Sequence, residues 1–165
     1  RRTVFPRDLI MLDLGTKDMR ETLREMAKSY VRHGFVKNGA NFYQNLLETE
    51  NAYGSSGNMS TDAAFPHGFA DITEDAIVAF AIFKEGLDFF RKDGQPVHFI
   101  VTTAIKKPDL AEHLSGTEFH RRHMADMSVF FWYGWTRQAL LGATSREEVY
   151  QILKEHYHPP KPPWI

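Results

Sequence analysis

The sequence predicts a single-domain α/β (α+β) fold, a mixed β-sheet flanked by helices on both faces. Two runs rich in apolar and β-branched residues, 76–83 and 97–104, are typical of buried strands. Segments 18–33 and 145–156 place apolar residues at helical spacing. Strand and helix patterns alternate along 165 residues, about the length of one domain, so one layered sheet is expected.

The first third of the chain predicts one strand and two helices. Residues 9–14 are apolar apart from Asp13 and fit a short strand or a docked arm. The helix over 18–33 follows, with Gly34 as its C-cap. A second helix, over about 40–50, carries its large apolar residues on one side.

The middle of the chain predicts a loop and the central strands. Residues 53–61 are rich in Gly and Ser and have no periodicity, which indicates a loop. The loop ends at a small-residue segment that leads through Pro66 to His67. The two central strands come next, separated by Gly86 and by turn-like residues 93–96.

Further helices are predicted after the central strands. A short piece over 109–114 precedes a longer helix over 117–133, and a capping-box pattern at Ser145 opens the last one. The aromatic residues at 130–135 would surround the longer helix on all sides. A helix that is apolar all round is buried or covered. We therefore expect a homo-oligomer contact or a larger partner there, with packing inside the domain as the alternative.

The amino-acid composition excludes several classes of function. The formal net charge of −1 gives no global positive field to hold nucleic acid or an anionic membrane surface. Cysteine is absent, which excludes disulfides, thiolate chemistry and cysteine zinc sites, whereas 8 histidines leave imidazole chemistry open. No apolar run approaches the ~20 residues of a membrane span. We expect a cytoplasmic domain over 1–158 and an extended, Pro-rich tail over 159–165.

His67 is the first catalytic candidate. It lies between Pro66, which fixes its own backbone, and Gly68, which tolerates unusual backbone angles and close approach to a ligand. A neutral imidazole held in such a turn can attack a phosphoryl group near pH 7 and form a phosphohistidine. Backbone N–H groups, a second histidine, an arginine or a helix N-terminus can hold the phosphate oxygens. A polar surface histidine without chemistry is the alternative.

Several motifs follow one another in a particular order. They include residues 46–50, the Gly/Ser loop, the Ala-Phe-Pro-His-Gly segment over 64–68, residues 86–97 and a closing segment over 137–148. In this order they resemble the enzyme IIA domain of the fructose/mannitol type, with its nitrogen-regulatory relatives, in the bacterial sugar phosphotransferase system. The resemblance implies that His67 accepts a phosphoryl group from the histidine-containing carrier protein and passes it to an enzyme IIB domain. A membrane would be involved only indirectly, through a permease.

The resemblance also implies a second active-site histidine at the start of a helix after the central strands. A count back from the closing segment without a gap selects His120. His113 is followed by Leu114, as in the family, but the residues after it break the helix, and His123 lies one turn beyond His120. His120 is preferred because a helix N-terminus disfavours imidazolium and attracts phosphate oxygens. A partly buried structural histidine is the alternative.

Hydroxyl and backbone groups are expected to hold the phosphate. We assign this role to Thr49, Ser60, Thr61 and the backbone at Gly68. The sequence departs from the family at Thr49, where members usually have a phosphate-binding arginine, and Asp62 adds a negative charge beside the predicted site. The absence of that arginine at Thr49, together with the aromatic helix, favours as a second hypothesis a non-transport regulatory or interaction module with the same fold.

The histidines also raise the question of a metal site. His113, His120 and His123 are close in sequence, and two of them are three residues apart on a predicted helix. No carboxylate ligand is fixed by spacing, so neither a metal nor another cofactor is predicted.

Overall fold

The computed structural model describes residues 3–53, 62–89, 94–107, 134–158 and 163–165. The strands in these ranges are β1 (Thr3–Val4), β2 (Ile10–Leu12), β3 (Ala63–Ala64), β4 (His67–Ala70), β5 (Ala76–Leu87) and β6 (Val97–Lys106). The helices are α1 (Met19–Arg32), α2 (Gly39–Tyr53), α3 (Gly134–Gly142) and α4 (Arg146–His156), with a 3-10 turn at Arg7–Leu9.

The strands form one mixed sheet. β5 and β6 pair antiparallel at its centre, while β1 and β2 run parallel to β5 and β3 and β4 run parallel to β6. β3 and β4 keep one register, because Ala63 lies opposite Phe99 and His67 opposite Thr103. They therefore act as one edge strand that is interrupted around Pro66, which has no N–H to donate. The predicted mixed sheet is confirmed.

Side chains of β5 alternate between two apolar cores, one on each face of the sheet. Ile77 and Ala79 belong to a first core that includes residues of α1 and α2. Val78 and Phe80 belong to a second core that includes residues of α3 and α4. Because successive side chains of a strand point to opposite faces, the continuous apolar run in the sequence is buried on both sides of the sheet. Helices cover both faces, as expected.

Two helices begin with a side-chain cap. Asp18 Oδ1 accepts a hydrogen bond from the N–H of Glu21 at 2.8 Å at the start of α1, and Ser145 Oγ accepts one from the N–H of Glu148 at 3.1 Å at the start of α4. Glu148 completes the N-terminal cap of α4 by accepting from the N–H of Thr144 at 2.9 Å. The predicted cap at Ser145 is confirmed, whereas Asp18 is a cap that the sequence analysis does not identify.

Some element bounds differ from the prediction. The strand expected over 9–14 covers only Ile10–Leu12, because a 3-10 turn occupies the residues before it. α3 is a helix where none was predicted. The helices predicted over 109–114 and 117–133 lie outside the described residues. Of the aromatic run, the side chain described is that of Trp135, which is 53% exposed and meets the ring of His156 edge-on.

The N-terminal segment and residues 163–165 pair with each other. The N–H of Phe5 donates to the carbonyl of Pro163 at 2.7 Å, and the N–H of Arg7 donates to that of Ile165 at 2.8 Å. The Trp164 ring meets the Phe5 ring edge-on at a centroid distance of 5.2 Å. Together these contacts tie both segments to the second core.

Phe5→Ala is expected to lower the free energy of unfolding by about 3–4 kcal/mol, the usual cost of emptying a buried aromatic position. Phe5 is 2% exposed, and its ring also meets those of Phe80 and Tyr157. Urea denaturation of the two proteins measures the difference. Ile165→Ala, which truncates an exposed side chain in the same pairing, is the control and should cost less than about 1 kcal/mol. A loss below that value for Phe5→Ala would contradict the prediction.

Candidate functional site

His67 is the first residue of β4, at the edge of the sheet. It lies opposite Thr103 on β6, and the N–H of Thr103 donates to the carbonyl of Pro66 at 3.0 Å. The sequence placed His67 in a turn, and this expectation is wrong. The Pro66 position interrupts the edge strand without turning it, so the register against β6 continues through the histidine. The backbone at His67 is therefore held by the central sheet.

The imidazole of His67 is half-buried. Burial lowers the pKa of this ring below its ordinary value, and a hydrogen bond with the backbone of Phe65 only partly opposes the effect. The ring is consequently neutral at pH 7. In a neutral imidazole one ring nitrogen carries the proton and the other keeps an available lone pair. A neutral ring of this kind can act as a nucleophile.

The side chain of His67 is placed on the face of the sheet that carries the second core. Ala63 and Phe65 of the same edge strand belong to that core, and alternate residues of a strand share a face. Thr103, its cross-strand neighbour, is 4% exposed and shares this face by register. Sequence reasoning missed Thr103, since the register of two strands that lie 36 residues apart cannot be derived from local patterns.

Gly68 lies where helix α2 approaches the edge strand. A Cβ at Gly68 would lie 3.0 Å from the backbone nitrogen of Leu46 and 3.1 Å from Asn45 Oδ1. Its φ is not in the positive range, so the predicted need for unusual backbone angles is wrong. The predicted close approach at Gly68 is present, and the group that approaches it in the structure is the backbone of helix α2.

Asn45 completes the attachment of β4 to α2. Its Oδ1 accepts the N–H of Phe69 at 2.6 Å. This N–H lies on the side of β4 that does not face β6, so Asn45 supplies an acceptor for a donor that no neighbouring strand satisfies. Sequence reasoning missed Asn45, because an asparagine inside a helix carries no local signal for a contact 24 residues away.

Thr49 is half-buried in α2, one turn after Asn45. Its hydroxyl donates to the carbonyl of Asn45 at 2.8 Å. The proton of this hydroxyl is thus engaged within the helix, a common arrangement for threonine. The oxygen of Thr49 keeps acceptor capacity, and the position carries no positive charge. The role of Thr49 in phosphate binding stays a prediction.

Asp62, just before β3, forms the centre of a charged cluster. Its two carboxylate oxygens accept hydrogen bonds from Arg137 Nε at 2.6 Å and Nη2 at 2.7 Å, a bidentate pair. His98 Nδ1 lies 2.8 Å from Asp62 Oδ2. Burial raises the pKa of the Asp62 carboxyl, but the hydrogen bonds and charge of Arg137 outweigh burial and hold it below its usual value.

This cluster changes the expected electrostatics around His67. Arg137 compensates the charge of the Asp62 carboxylate through the bidentate contact, so the pair carries no net negative charge. The expectation that Asp62 adds negative charge to the site is therefore wrong.

Comparisons with known proteins identify the family of this chain. The profile of the family described as "Phosphoenolpyruvate-dependent sugar phosphotransferase system, EIIA 2" matches residues 3–156. The chain belongs to this enzyme IIA family. A curated relative, the PTS system fructose-specific EIIABC component of Bacillus subtilis (strain 168), is 23% identical over 147 residues, covering 89% of this chain and 22% of that protein. The chain thus spans about a fifth of the relative's length.

Solved structures share the fold of this enzyme IIA domain. The nitrogen regulatory protein IIA-Ntr from Neisseria meningitidis is 25% identical with a TM-score of 0.72, covering 91% of this chain and 96% of that one. The Escherichia coli complex of enzyme IIAMtl with phosphorylated enzyme IIBMtl contains a chain that is 17% identical with a TM-score of 0.67, covering 90% and 95%. The predicted family and fold are confirmed.

Five of the predicted site residues of the enzyme IIA domain lie outside the described ranges. They are His113, His120, His123, Ser60 and Thr61. Within the described ranges, no group of three or more His, Asp or Glu side chains is placed to hold a metal ion. None of the helices in those ranges is long and apolar enough to cross a membrane.

Asp62→Asn is expected to flatten the pH dependence of stability in acid. A carboxyl whose pKa is lower in the folded state contributes stability above its unfolded pKa of about 3.9 and loses it as the pH falls through the folded pKa. At pH 7 the free energy of unfolding of the variant should be about 1 kcal/mol below that of the wild type. Between pH 7 and pH 2 it should fall by less than that of the wild type. Denaturation between pH 7 and pH 2 tests this. Arg137→Met removes the cause of the lowered Asp62 pKa, so its stability should depend on pH as weakly as that of Asp62→Asn. If stability falls as steeply in either variant as in the wild type, the prediction is wrong.

Proposed function

We propose that this enzyme IIA domain is a phosphocarrier in which His67 accepts a phosphoryl group from the histidine-containing carrier protein and passes it to an enzyme IIB domain. The observation that carries the proposal is the half-buried imidazole of His67, made neutral by burial, at the first residue of an edge strand. Its backbone is fixed by β6 on one side, and the following residues by α2 on the other. A fixed, neutral ring meets the needs of a nucleophile that must also be a leaving group.

The two transfers balance in bonds and charge. The lone pair of one His67 ring nitrogen attacks the phosphorus of the carrier's phosphohistidine, a new N–P bond forms, and the carrier's N–P bond breaks. The carrier's imidazole leaves with the electron pair of the broken bond. In the second transfer a nucleophile of the enzyme IIB domain attacks the same phosphorus, and His67 recovers its electron pair.

The remaining predicted residues have supporting roles in this proposal. His120, with His113 and His123 as alternatives, steadies the negative charge that develops on the phosphoryl oxygens. The hydroxyls of Ser60 and Thr61 hold these oxygens, as does the backbone at Gly68. Thr49 joins them once its hydroxyl gives up the bond to Asn45. No cofactor takes part in the proposed reaction.

Transfer of labelled phosphate tests the proposal. The domain is incubated with labelled phosphoenolpyruvate and the general phosphotransferase components, with the same mixture lacking the carrier protein as control. We expect carrier-dependent label on the domain that is labile in acid and stable in base, as expected for phosphohistidine. Addition of an enzyme IIB domain should remove the label. An unlabelled domain, or label that does not depend on the carrier, overturns the proposal.

Thr49 favours a second candidate, the regulatory or interaction module. Where the family usually has a phosphate-binding arginine, this domain has a hydroxyl whose proton is engaged in the helix. Such a domain accepts phosphate slowly and acts by binding a host protein. Thr49→Arg separates the two functions. An increase of about tenfold or more in the labelling rate favours the regulatory module, and an unchanged rate favours the phosphocarrier.

A further inference from the structure

Helix α1 carries a stripe of positive charge. Its basic residues, Arg20, Arg24, Lys28 and Arg32, recur at intervals of four, and all four are exposed. Residues four apart lie one above another on a helix, where like charges repel each other and destabilise the helix. The sequence keeps three such pairs in one row. We call this row the basic stripe.

An apolar groove lies beside the basic stripe, between α1 and α2. It encloses about 460 Å³ and is lined by Ala27, Val31, Ala40 and Tyr43, with Arg24 and Lys28 among its walls. The two helices come together at one end, where a Cβ on Gly39 would lie 2.7 Å from Val31 Cγ2. The groove is open to solvent, since Val31 is 40% exposed.

The acidic residues of α1 neutralise only part of the basic stripe. Glu25 pairs with Lys28 at 3.2 Å, in an exposed contact that is worth little. Glu21 accepts the N–H of Lys17 at 2.9 Å, at the start of the helix. Arg24 extends over the Tyr43 ring at 5.3 Å from its centroid, so one guanidinium stands at the mouth of the groove. A positive rim therefore borders an apolar floor.

We propose that the groove between α1 and α2 binds an acidic, amphipathic segment of a partner protein. One apolar side chain of the segment enters the groove, and its carboxylates lie along the basic stripe. Charge complementarity selects an acidic occupant. The apolar floor argues against nucleic acid, whose backbone has no group to fill it. One exposed valine is too small an apolar surface to enter a membrane.

This surface is separate from the proposed phosphoryl site. His67 belongs to the face of the second core, whereas α1 and α2 pack on the first core. The groove uses only the start of α2, up to Tyr43, more than one turn before Thr49. The inference therefore does not depend on the proposed function. A segment bound in the groove leaves the imidazole accessible to other proteins, so both surfaces can be occupied together.

A designed peptide tests the groove. The probe is a fluorescein-labelled helical peptide with leucine every seventh residue and glutamate at flanking helical positions, titrated with the full chain at low salt. Fluorescence anisotropy should show saturable binding to the wild type. Arg24→Glu with Lys28→Glu should weaken binding at least tenfold, and Ala40→Trp, which fills the groove and keeps every charge, should do so too. The matched control is Lys154→Glu, an exposed lysine of α4 on the other side of the sheet, which should bind as the wild type does.

Several results would overturn the proposal. Absence of saturable binding removes it directly. Unchanged binding by Ala40→Trp, or equal weakening by Lys154→Glu, would mean general charge attraction without a groove. Stronger binding of a single-stranded DNA oligonucleotide of equal charge would assign the basic stripe to nucleic acid. Thermal melts of all variants show whether each one is folded, and a variant that has lost its fold is replaced by Lys28→Gln or Ala40→Leu at the same position.

Discussion

His67→Gln is expected to take up no labelled phosphate, a loss on the order of 10⁴-fold or more, as for other nucleophile deletions. Glutamine fills a similar volume and can hydrogen-bond, but its amide nitrogen has no available lone pair to attack phosphorus. The strand should persist, because the backbone contacts of β4 with β6 and α2 do not involve the imidazole. Label incorporation at equal protein concentration, with the fold checked by circular dichroism, measures the effect.

A second histidine provides the matched control for that experiment. His98 lies on β6 and is also partly buried, with 24% of its side chain exposed, but it contacts Asp62 at the other end of the edge strand. His98→Gln should therefore accept phosphate as the wild type does. If His67→Gln is labelled and His98→Gln is not, the nucleophile is His98 in the charged cluster, and the role proposed for His67 is wrong.

The sequence predicts the scaffold of the site well, since the signals for it are local. Apolar β-branched runs predict β5 and β6, apolar residues at helical spacing predict α1, and the capping pattern at Ser145 predicts the start of α4. Each of these signals acts over a few residues. The choice of His67 likewise depends on its immediate neighbours, together with the order of motifs along the chain.

The surroundings of His67 are harder to predict, because they depend on contacts between distant elements. Arg137 reaches Asp62 across 75 residues, and this pair removes a negative charge that the sequence alone assigns to the site. Asn45 accepts from the N–H of Phe69 only because α2 crosses the edge strand there. Neither contact follows from spacing. For the same reason, the sequence indicates a close approach at Gly68 but does not show that the neighbour is helix α2.

Gly68→Val is expected to lower the free energy of unfolding by about 2–3 kcal/mol and to prevent phosphate uptake by the folded fraction. Two effects oppose each other at this position. Valine favours strands by up to about 1 kcal/mol, which would stabilise β4. Its Cβ, however, would lie 3.0 Å from the Leu46 nitrogen and 3.3 Å from the Asn45 carbonyl carbon, and helix backbone cannot move aside as a flexible side chain can. The clash therefore exceeds the gain.

The displacement of β4 by valine should reach the adjacent imidazole. If α2 and β4 separate, the bond from the N–H of Phe69 to Asn45 breaks, and His67 loses one of the two supports of its strand. Urea denaturation gives the loss of stability, and labelling well below the melting temperature gives the loss of uptake. Gly142→Ala is the control, since nothing lies within 4 Å of the added Cβ and alanine favours a helix. A Gly68→Val protein as stable and as readily labelled as Gly142→Ala would show that α2 does not hold the edge strand in place for phosphoryl transfer.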